Sequence, residues 1–496
     1  MATRRDFLSA AGRAGLGAAA WALAGAPIGC AGRRKPNIVL ILADDLGYGD
    51  LGCYGAADDE TPNLDRMAAE GLRFTSFYVP QAVCSASRAA LLTGCYPNRV
   101  SVLHALMPWA ENGLAAGEET MAELLRERGY VCGAFGKWHL GHHPEFLPLR
   151  HGFDEYFGLP YSNDMWPVGY DGLPVGPEDR RARYPYPPLI EGGAAAGEVR
   201  TPADQDRLTE LYTARAVRFI ERNRDRPFFL YVPHSMPHVP LGASPAFRGR
   251  SRRGLYGDVI MELDASVGRI LGALKACGLD DRTLAVFLSD NGPWLNFGNH
   301  AGSAGPLREG KGTEWEGGVR VPCIMRWPGR IRPGRVSRDM AASMDILPTV
   351  AAAAGARLPA RPIDGRGFLD YLLGRADAPP REEFYFYYGT ELHAVRSGRW
   401  KLHVPHGFPS YEGQAPGKDG FPGPTVRRET GYALYDLEAD AGERTDLSGR
   451  FPEVVDRLKA VAERAREDLG DGERPGRGVR PGGRRTPLGE AGPRIP

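Results

Sequence analysis

Asn37-Ile38-Val39-Leu40-Ile41-Leu42-Ala43-Asp44-Asp45 is a short, nearly continuous apolar run that stops on two carboxylates. A continuous run, unlike an alternating one, fits a strand covered on both faces and hence a largely parallel α/β sheet. Three later stretches repeat the pattern. Tyr130-Val131-Cys132-Gly133-Ala134-Phe135 ends in Gly136-Lys137-Trp138-His139. Pro227-Phe228-Phe229-Leu230-Tyr231-Val232 ends in Pro233-His234, with His238 close behind. Thr283-Leu284-Ala285-Val286-Phe287-Leu288 ends in Ser289-Asp290-Asn291. Helical patterns over residues 64–71, 119–128, 206–222 and 258–277 lie between them, with Gly129 and Gly278 as C-terminal stops. This alternation predicts a doubly wound sheet. Ligands bind beyond the carboxyl ends of such strands, so the four polar clusters are expected to converge on one edge.

Composition narrows the function. Lys+Arg number 62 and Asp+Glu 61, so no basic field points to nucleic acid. Hydrophobic residues make up 42%, enough for a core. The 496 residues predict one large domain and a smaller one. Residues 36–378 are assigned to an α/β catalytic domain. Within it, the Pro/Gly/Tyr-rich stretch 160–200 reads as a long loop rimming the site. Residues 379–470 read as a small α+β subdomain, with strands near 384–388, 399–403 and 432–437 and a helix over 453–469. Residues 471–496, rich in Gly, Pro and Arg, are expected to be a disordered tail.

Residues 1–35 read as an address. Thr3-Arg4-Arg5-Asp6-Phe7-Leu8, followed by an Ala/Gly-rich stretch, resembles a twin-arginine export signal. The stretch is shorter than the roughly 20 strongly apolar residues of a membrane span. Ala24-Gly25-Ala26 offers a peptidase site; Pro27-Ile28-Gly29-Cys30 resembles a lipobox and is the preferred reading. Either ending sends the protein out of the cytoplasm, to the periplasm or outer surface, touching membrane only through a lipid on Cys30.

Asp44, Asp45, Asp290 and Asn291 are hard oxygen donors on two strand ends. Gathered carboxylates repel, and a divalent cation relieves them. An all-oxygen donor set favours Ca²⁺ or Mg²⁺ over Zn²⁺. An Asp-Asp pair by itself reads equally well as an N-cap or a solvated loop pair. Cys84-Ser85-Ala86-Ser87-Arg88 runs into a helical pattern ending at Gly94. A Cys at a helix N-terminus is expected to have a lowered pKa in a field suited to an anion. Arg88, one turn in, would pair with an anion or an acidic neighbour. Composition alone favours a half-buried Cys capped by the adjacent serines.

Cys84-Ser85-Ala86-Ser87-Arg88 with Leu91-Leu92-Thr93-Gly94 resembles the type I sulfatase signature, Cys-x-Pro/Ala-Ser-Arg with a downstream Thr-Gly. Further motifs fall in the family's order: Asp44-Asp45-Leu46-Gly47-Tyr48-Gly49-Asp50, Thr61-Pro62-Asn63-Leu64-Asp65, Gly136-Lys137-Trp138-His139-Leu140-Gly141, His151-Gly152-Phe153-Asp154, Ser289-Asp290-Asn291-Gly292, Gly310-Lys311-Gly312 and Glu316-Gly317-Gly318-Val319-Arg320. Together they span about residues 36 to 450. On these motifs the chain is identified as a member of the formylglycine-dependent sulfatases, similar to arylsulfatases and N-acetylgalactosamine-6-sulfatases, within the alkaline-phosphatase-like superfold. The resemblance implies that a maturation enzyme converts Cys84 to formylglycine (3-oxoalanine), whose hydrate is the nucleophile. It implies Ca²⁺, ahead of Mg²⁺, held by Asp44, Asp45, Asp290, Asn291 and modified Cys84. Arg88 and Lys137 would fix the hydrate and the sulfate, and His139 would act as base. His238 and Lys311 would bind the ester and help protonate its leaving oxygen. His238 is preferred to His234 there because it stands directly before Val239-Pro240, although His234 is kept among the substrate contacts. The implied partners are a sulfated carbohydrate or aryl sulfate, the maturation enzyme and the twin-arginine machinery.

The physics fits these roles. A sulfate ester repels anionic nucleophiles, and clustered cations cancel that charge. A formylglycine-dependent phosphonate monoester or phosphodiester hydrolase is the alternative. An inactive binding module is disfavoured, because Cys84, Arg88, Lys137, His139, His238 and Lys311 are all present. Asn163-Asp164 and Trp166 are rim candidates, and His300 reads equally as pocket lining or solvated loop. Without Cys30 and Cys84, five of the seven cysteines remain, so at most two disulfides are expected.

Overall fold

The computed structural model describes residues 35–57 and 60–485; the export and lipobox readings at the amino terminus lie outside them. Ten strands form the main sheet: β1 (Asn37–Ala43), β2 (Leu72–Phe74), β3 (Val131–Phe135), β4 (Glu155–Gly158), β5 (Pro188–Glu191), β6 (Ala194–Glu198), β7 (Phe228–Pro233), β8 (Thr283–Ser289), β9 (Cys323–Arg326) and β10 (Arg335–Ser337). Their order is β10-β2-β9-β8-β1-β7-β3-β4-β5-β6. The four apolar runs are the adjacent strands β8-β1-β7-β3, all parallel. Every residue of β1, β7 and β8 is buried, as continuous runs require. The sheet turns antiparallel on either side, at β8–β9 and β4–β5.

Helices cover both faces. On one lie α1 (Pro62–Ala69), α4 (Leu208–Arg222) and α5 (Gly254–Ala276), packed with Val39, Ile41, Leu230 and Val232. On the other lie α2 (Cys84–Thr93), α3 (Met121–Glu127) and α6 (Ile346–Ala354), packed with Leu40, Leu42, Phe229 and Tyr231. Each strand thus sends alternate side chains to two separate cores. Thr120 and Glu123 form a capping box that starts α3.

Two expectations change. The stretch 160–200 is not all loop: β5 and β6 form a hairpin that extends the sheet edge beside β4. Backbone pairing decides it, because β6 is exposed throughout and carries no apolar pattern. Residues 471–485 are not disordered. Arg480 N–H donates to Arg99 O at 2.8 Å, its guanidinium reaches Glu118 at 2.7 Å, and Gly483–Arg484 pairs with Asn112–Gly113. Composition overlooked these because Arg480 and Arg485 find the carboxylates of Glu118 and Glu111 on the main body. The C-terminal sheet is built from β11 (Glu383–Tyr388), β12 (Glu391–Ser397), β13 (Trp400–His403) and β14 (Ala433–Asp436), antiparallel in that order. Helix α7 (Pro452–Leu469) packs on β12 and β13. The six described cysteines are free thiols. No described helix is long and apolar enough to cross a membrane.

Candidate active site

The register of β1 against β8 pairs Ala43 with Ser289, so Asp44 and Asp290 emerge side by side. Asp45 follows with φ 66°, and its N–H donates to Asp290 Oδ1 at 3.1 Å. His139, beyond β3, also has a left-handed φ of 61°. Such non-glycine conformations cost roughly 1–3 kcal/mol each and persist where surrounding structure imposes them. Gly136 lets the β3 turn form: a Cβ there would lie 1.8 Å from Pro233 O. Likewise a Cβ on Gly292 would lie 1.8 Å from Gly317 O, so Asn291 stays pressed against the Glu316-Gly317-Gly318 turn.

Cys84 is the first residue of α2, which has no side-chain cap at its N-terminus. Its Sγ lies 3.4 Å from Asp44 Oδ1. Burial and the Asp44 carboxylate push the thiol far up. The lowered pKa expected at a helix N-terminus is therefore corrected, because desolvation and a neighbouring anion outweigh the helix field. Lys137 Nζ donates to Asp44 Oδ2 at 2.5 Å and to Ser162 Oγ at 3.0 Å. Arg88 holds Asp290 Oδ2 through Nε at 3.0 Å and Nη2 at 2.9 Å, and donates to Lys137 O at 2.6 Å. Lys311 Nζ lies 2.8 Å from the Asp45 carboxylate and 4.3 Å from the Trp294 ring centre. Burial would raise the Asp44 carboxyl, but Lys137 and Arg88 outweigh it and hold it well below the usual range. Asp290 goes up, through burial and the Asp44 charge, despite Arg88.

The two histidines differ in which nitrogen is free. His139 Nε2 lies 3.0 Å from Leu106 O, which can only accept; that nitrogen carries the proton, and buried Nδ1 has no hydrogen-bond partner. Burial, Lys137 and Arg88 hold His139 well below its ordinary pKa, so the ring is neutral. In His238, Nδ1 is held 2.5 Å from Val239 O, and Nε2 lies 3.6 Å from Asp45 Oδ2. Burial and Lys311 lower its pKa too.

Cys84, His139, His238 and Lys311 line one cavity of about 400 Å³, with Ser162, Asp164, Met165, Trp294, Asn296, Tyr388, Tyr411 and Thr425 among its other walls. Arg88, Lys137 and the strand-end carboxylates back it. A larger cavity of about 520 Å³ lies beside β4, β5 and α4; it is lined by ion pairs such as Arg215–Glu191 and holds none of these residues.

The oxygen donors suit a hard cation. Asn291 Nδ2 is spent on Asp45 Oδ1 at 2.7 Å, leaving its Oδ1 buried without a hydrogen-bond partner. One ligand atom each from Asp44, Asp45, Cys84 and His238 lie within 4.8 Å of one another. That group includes His238, which was expected only at the ester, and omits Asp290, whose Oδ2 faces Arg88.

His234 is not where a substrate contact would be. It continues the parity of Leu230 and Val232, so its ring turns to the α4/α5 side, 3.2 Å from Ser266 Oγ and packed on Tyr212. Its expected substrate role is corrected on that ground. Asp164 does line the cavity, whereas Asn163 bonds Gln205, and Trp166 and His300 line a separate cavity. Sequence reasoning missed Ser162, Trp294 and Leu106. Only Ser162, next to Asn163-Asp164, carried a signal.

A family model described as Sulfatase matches residues 36–356, and one described as the C-terminal region of aryl-sulfatase matches residues 379–475. Arylsulfatase A of Homo sapiens is 42% identical over 458 residues, covering 87% of this chain and 88% of that protein. N-acetylgalactosamine-6-sulfatase of Canis lupus familiaris is 41% identical over 469 residues, covering 88% and 87%. Among solved structures, the PsFucS1 sulfatase from Pseudoalteromonas sp. superposes with a TM-score of 0.78 at 28% identity, covering 87% of this chain and 90% of that one.

Proposed function

The chain belongs to the sulfatase family and is a sulfuric ester hydrolase with an alkaline-phosphatase-like α/β fold; from that premise we propose an exported enzyme that removes sulfate from carbohydrates, using Ca²⁺ and a formylglycine derived from Cys84. The observation that carries the reading is Cys84 opening α2 in a cavity with Lys311 and His238, backed by Arg88 and Lys137. Asp44, Asp45, Asp290 and Asn291 would hold the Ca²⁺, which supplies charge compensation for an anionic ester. Formylglycine supplies a geminal-diol oxygen as nucleophile, in place of a thiol whose ionisation is suppressed here.

The chain's own groups divide the remaining work. The α2 N-terminus and the Lys137 and Arg88 cations favour an anion at Cys84. His139 Nδ1, neutral and unpartnered, is the site that takes a proton. His238 Nε2 and Lys311 Nζ flank the leaving oxygen; a bound anion favours protonation of Nε2, which can then deliver that proton. Trp294, between His238 and Lys311, offers a flat apolar wall for a sugar or aryl ring.

The sugar assignment draws on the N-acetylgalactosamine-6-sulfatases, at 41% identity in the canine protein. Export rests on the amino-terminal motif and would place the mature protein in the periplasm or on the outer surface. The lipid on Cys30, or cleavage after Ala26, follows transport by the twin-arginine machinery. The deciding experiment compares 4-nitrophenyl sulfate with 4-nitrophenyl phenylphosphonate on protein made with a formylglycine-generating enzyme. Faster turnover of the sulfate is expected; faster turnover of the phosphonate would hand the site to the alternative chemistry.

A further inference from the structure

Trp109 is the one exposed tryptophan among the described residues, at 55%. It is not a loose side chain. Its ring lies nearly parallel to Tyr184, 13° apart with centroids at 5.3 Å. Tyr184 is buried and packs with Tyr161 and Met165. Met165 also lines the Cys84 cavity, as does Ala105, four residues before Trp109. The indole face is therefore anchored on the rim, two side chains from the reacting centre.

Cations flank this platform. The turn Arg180–Arg183 leads directly into Tyr184. Arg180 and Arg183 are exposed and form no ion pair among the described residues, whereas Arg181 is spent on Asp179. Arg180 and the cavity residue Asp164 both lie within electrostatic reach of the Tyr184 phenol. An open, rigid aromatic face suits the C–H face of a pyranose, whose hydroxyls stay in water. Unpaired arginines beside it suit a sulfate or carboxylate on that ring.

We propose that Trp109, stacked on Tyr184 and flanked by Arg180 and Arg183, forms an outer subsite for the anionic sugar next to the one being desulfated. The substrate is then an anionic oligosaccharide and not a lone sulfated sugar. This rests on the reading of the Cys84 cavity as a carbohydrate sulfatase site.

The test uses full-length, formylglycine-bearing protein with Trp109→Ala and Arg180→Ala/Arg183→Ala variants. Probes are tetrasaccharides of chondroitin 6-sulfate and of κ-carrageenan, with 4-nitrophenyl sulfate as the small ester. For whichever tetrasaccharide the wild type takes, the ratio of its kcat/KM to that of 4-nitrophenyl sulfate falls about tenfold in Trp109→Ala, through KM, as loss of one aromatic contact predicts. The arginine variant shows a similar fall at low salt that shrinks at high salt. An unchanged ratio in both variants, or a wild type that takes neither tetrasaccharide, overturns the proposal. Failure of the underlying reading is seen separately, as no turnover of 4-nitrophenyl sulfate. In that event, calorimetric binding of the tetrasaccharides to Cys84→Ala protein, with and without Trp109→Ala, still decides the subsite: equal affinities overturn it.

Discussion

Asn291 donates its amide to Asp45 across 246 residues of sequence, at 2.7 Å, which turns its buried Oδ1 away from any protein donor. An oxygen left in that state beside Asp44, Asp45 and Asp290 is suited to a hard cation. Chelation is expected to abolish sulfate ester turnover and to lower the melting temperature. Ca²⁺ should restore both more fully than Mg²⁺. At a hundredfold excess over its dissociation constant, the ion would add about 2.7 kcal/mol of stability. Calorimetry and turnover before and after chelation check this; unchanged values would remove the metal from the site.

Cys84→Ala is expected to abolish turnover while leaving the melting temperature within a few degrees, because the small side chain still fits the first turn of α2. In active wild-type protein, the tryptic peptide Phe74–Arg88 should be lighter by about 18 Da, the difference between thiol and aldehyde. An unmodified cysteine in fully active protein would sink the formylglycine assignment.

His238 and His234 should separate cleanly. His238→Ala loses its Nε2 from the cavity, and kcat/KM falls about 10²–10³-fold, as for loss of a positioned acid. His234→Ala leaves a hole among Tyr212, Ser266 and the sheet, costing about 2 kcal/mol of stability. Its kcat/KM should stay within about threefold of the wild type, measured below the melting transition. A large catalytic loss in His234→Ala would restore it to the site.

Acid should destabilise the fold through buried histidines. His151 is buried with neither ring nitrogen hydrogen-bonded, and burial lowers its pKa from 6.5 to about 4. Between those values the unfolded chain takes a proton that the folded chain refuses. Its stabilising effect is therefore full above pH 6.5 and lost as pH falls towards 4. Burial lowers His234 to about 3, which continues the same sign further into acid. His151→Phe, beside Trp138, should flatten the melting temperature between pH 6.5 and 4; an identical slope would exclude His151 as a contributor.

Lys401 ties the C-terminal sheet to the main body. Its buried ammonium donates to Glu314 O at 2.7 Å and pairs with Glu316 at 3.1 Å and Glu443 at 3.0 Å. Lys401→Met would leave buried Glu443 without its cation and Glu316 with Arg320 alone, costing about 3–5 kcal/mol. Denaturant unfolding measures it, and a loss under 1 kcal/mol would show that the carboxylates find other partners.

The apolar runs ending at Ala43, Phe135, Val232 and Leu288 determined the sheet's centre, because a strand buried on both faces must be apolar at every position. The polar residues that end those runs meet at one edge of the sheet, and the Cys84–Arg88 motif opens a helix at that edge. These are local signals, written within a few residues. Other features depended on where loops bring side chains after the strand ends. The structure alone set His139's free nitrogen, through a carbonyl at Leu106, 33 residues away. It also gave Lys137 its second partner, Ser162, and stacked Trp109 on Tyr184. It anchored residues 471–485 through paired arginines that composition reads as solvated charge. Periodicity encodes which face a residue takes on its own strand, as His234 still shows. Contacts between separate loops are fixed only when the sheet holds their ends in register.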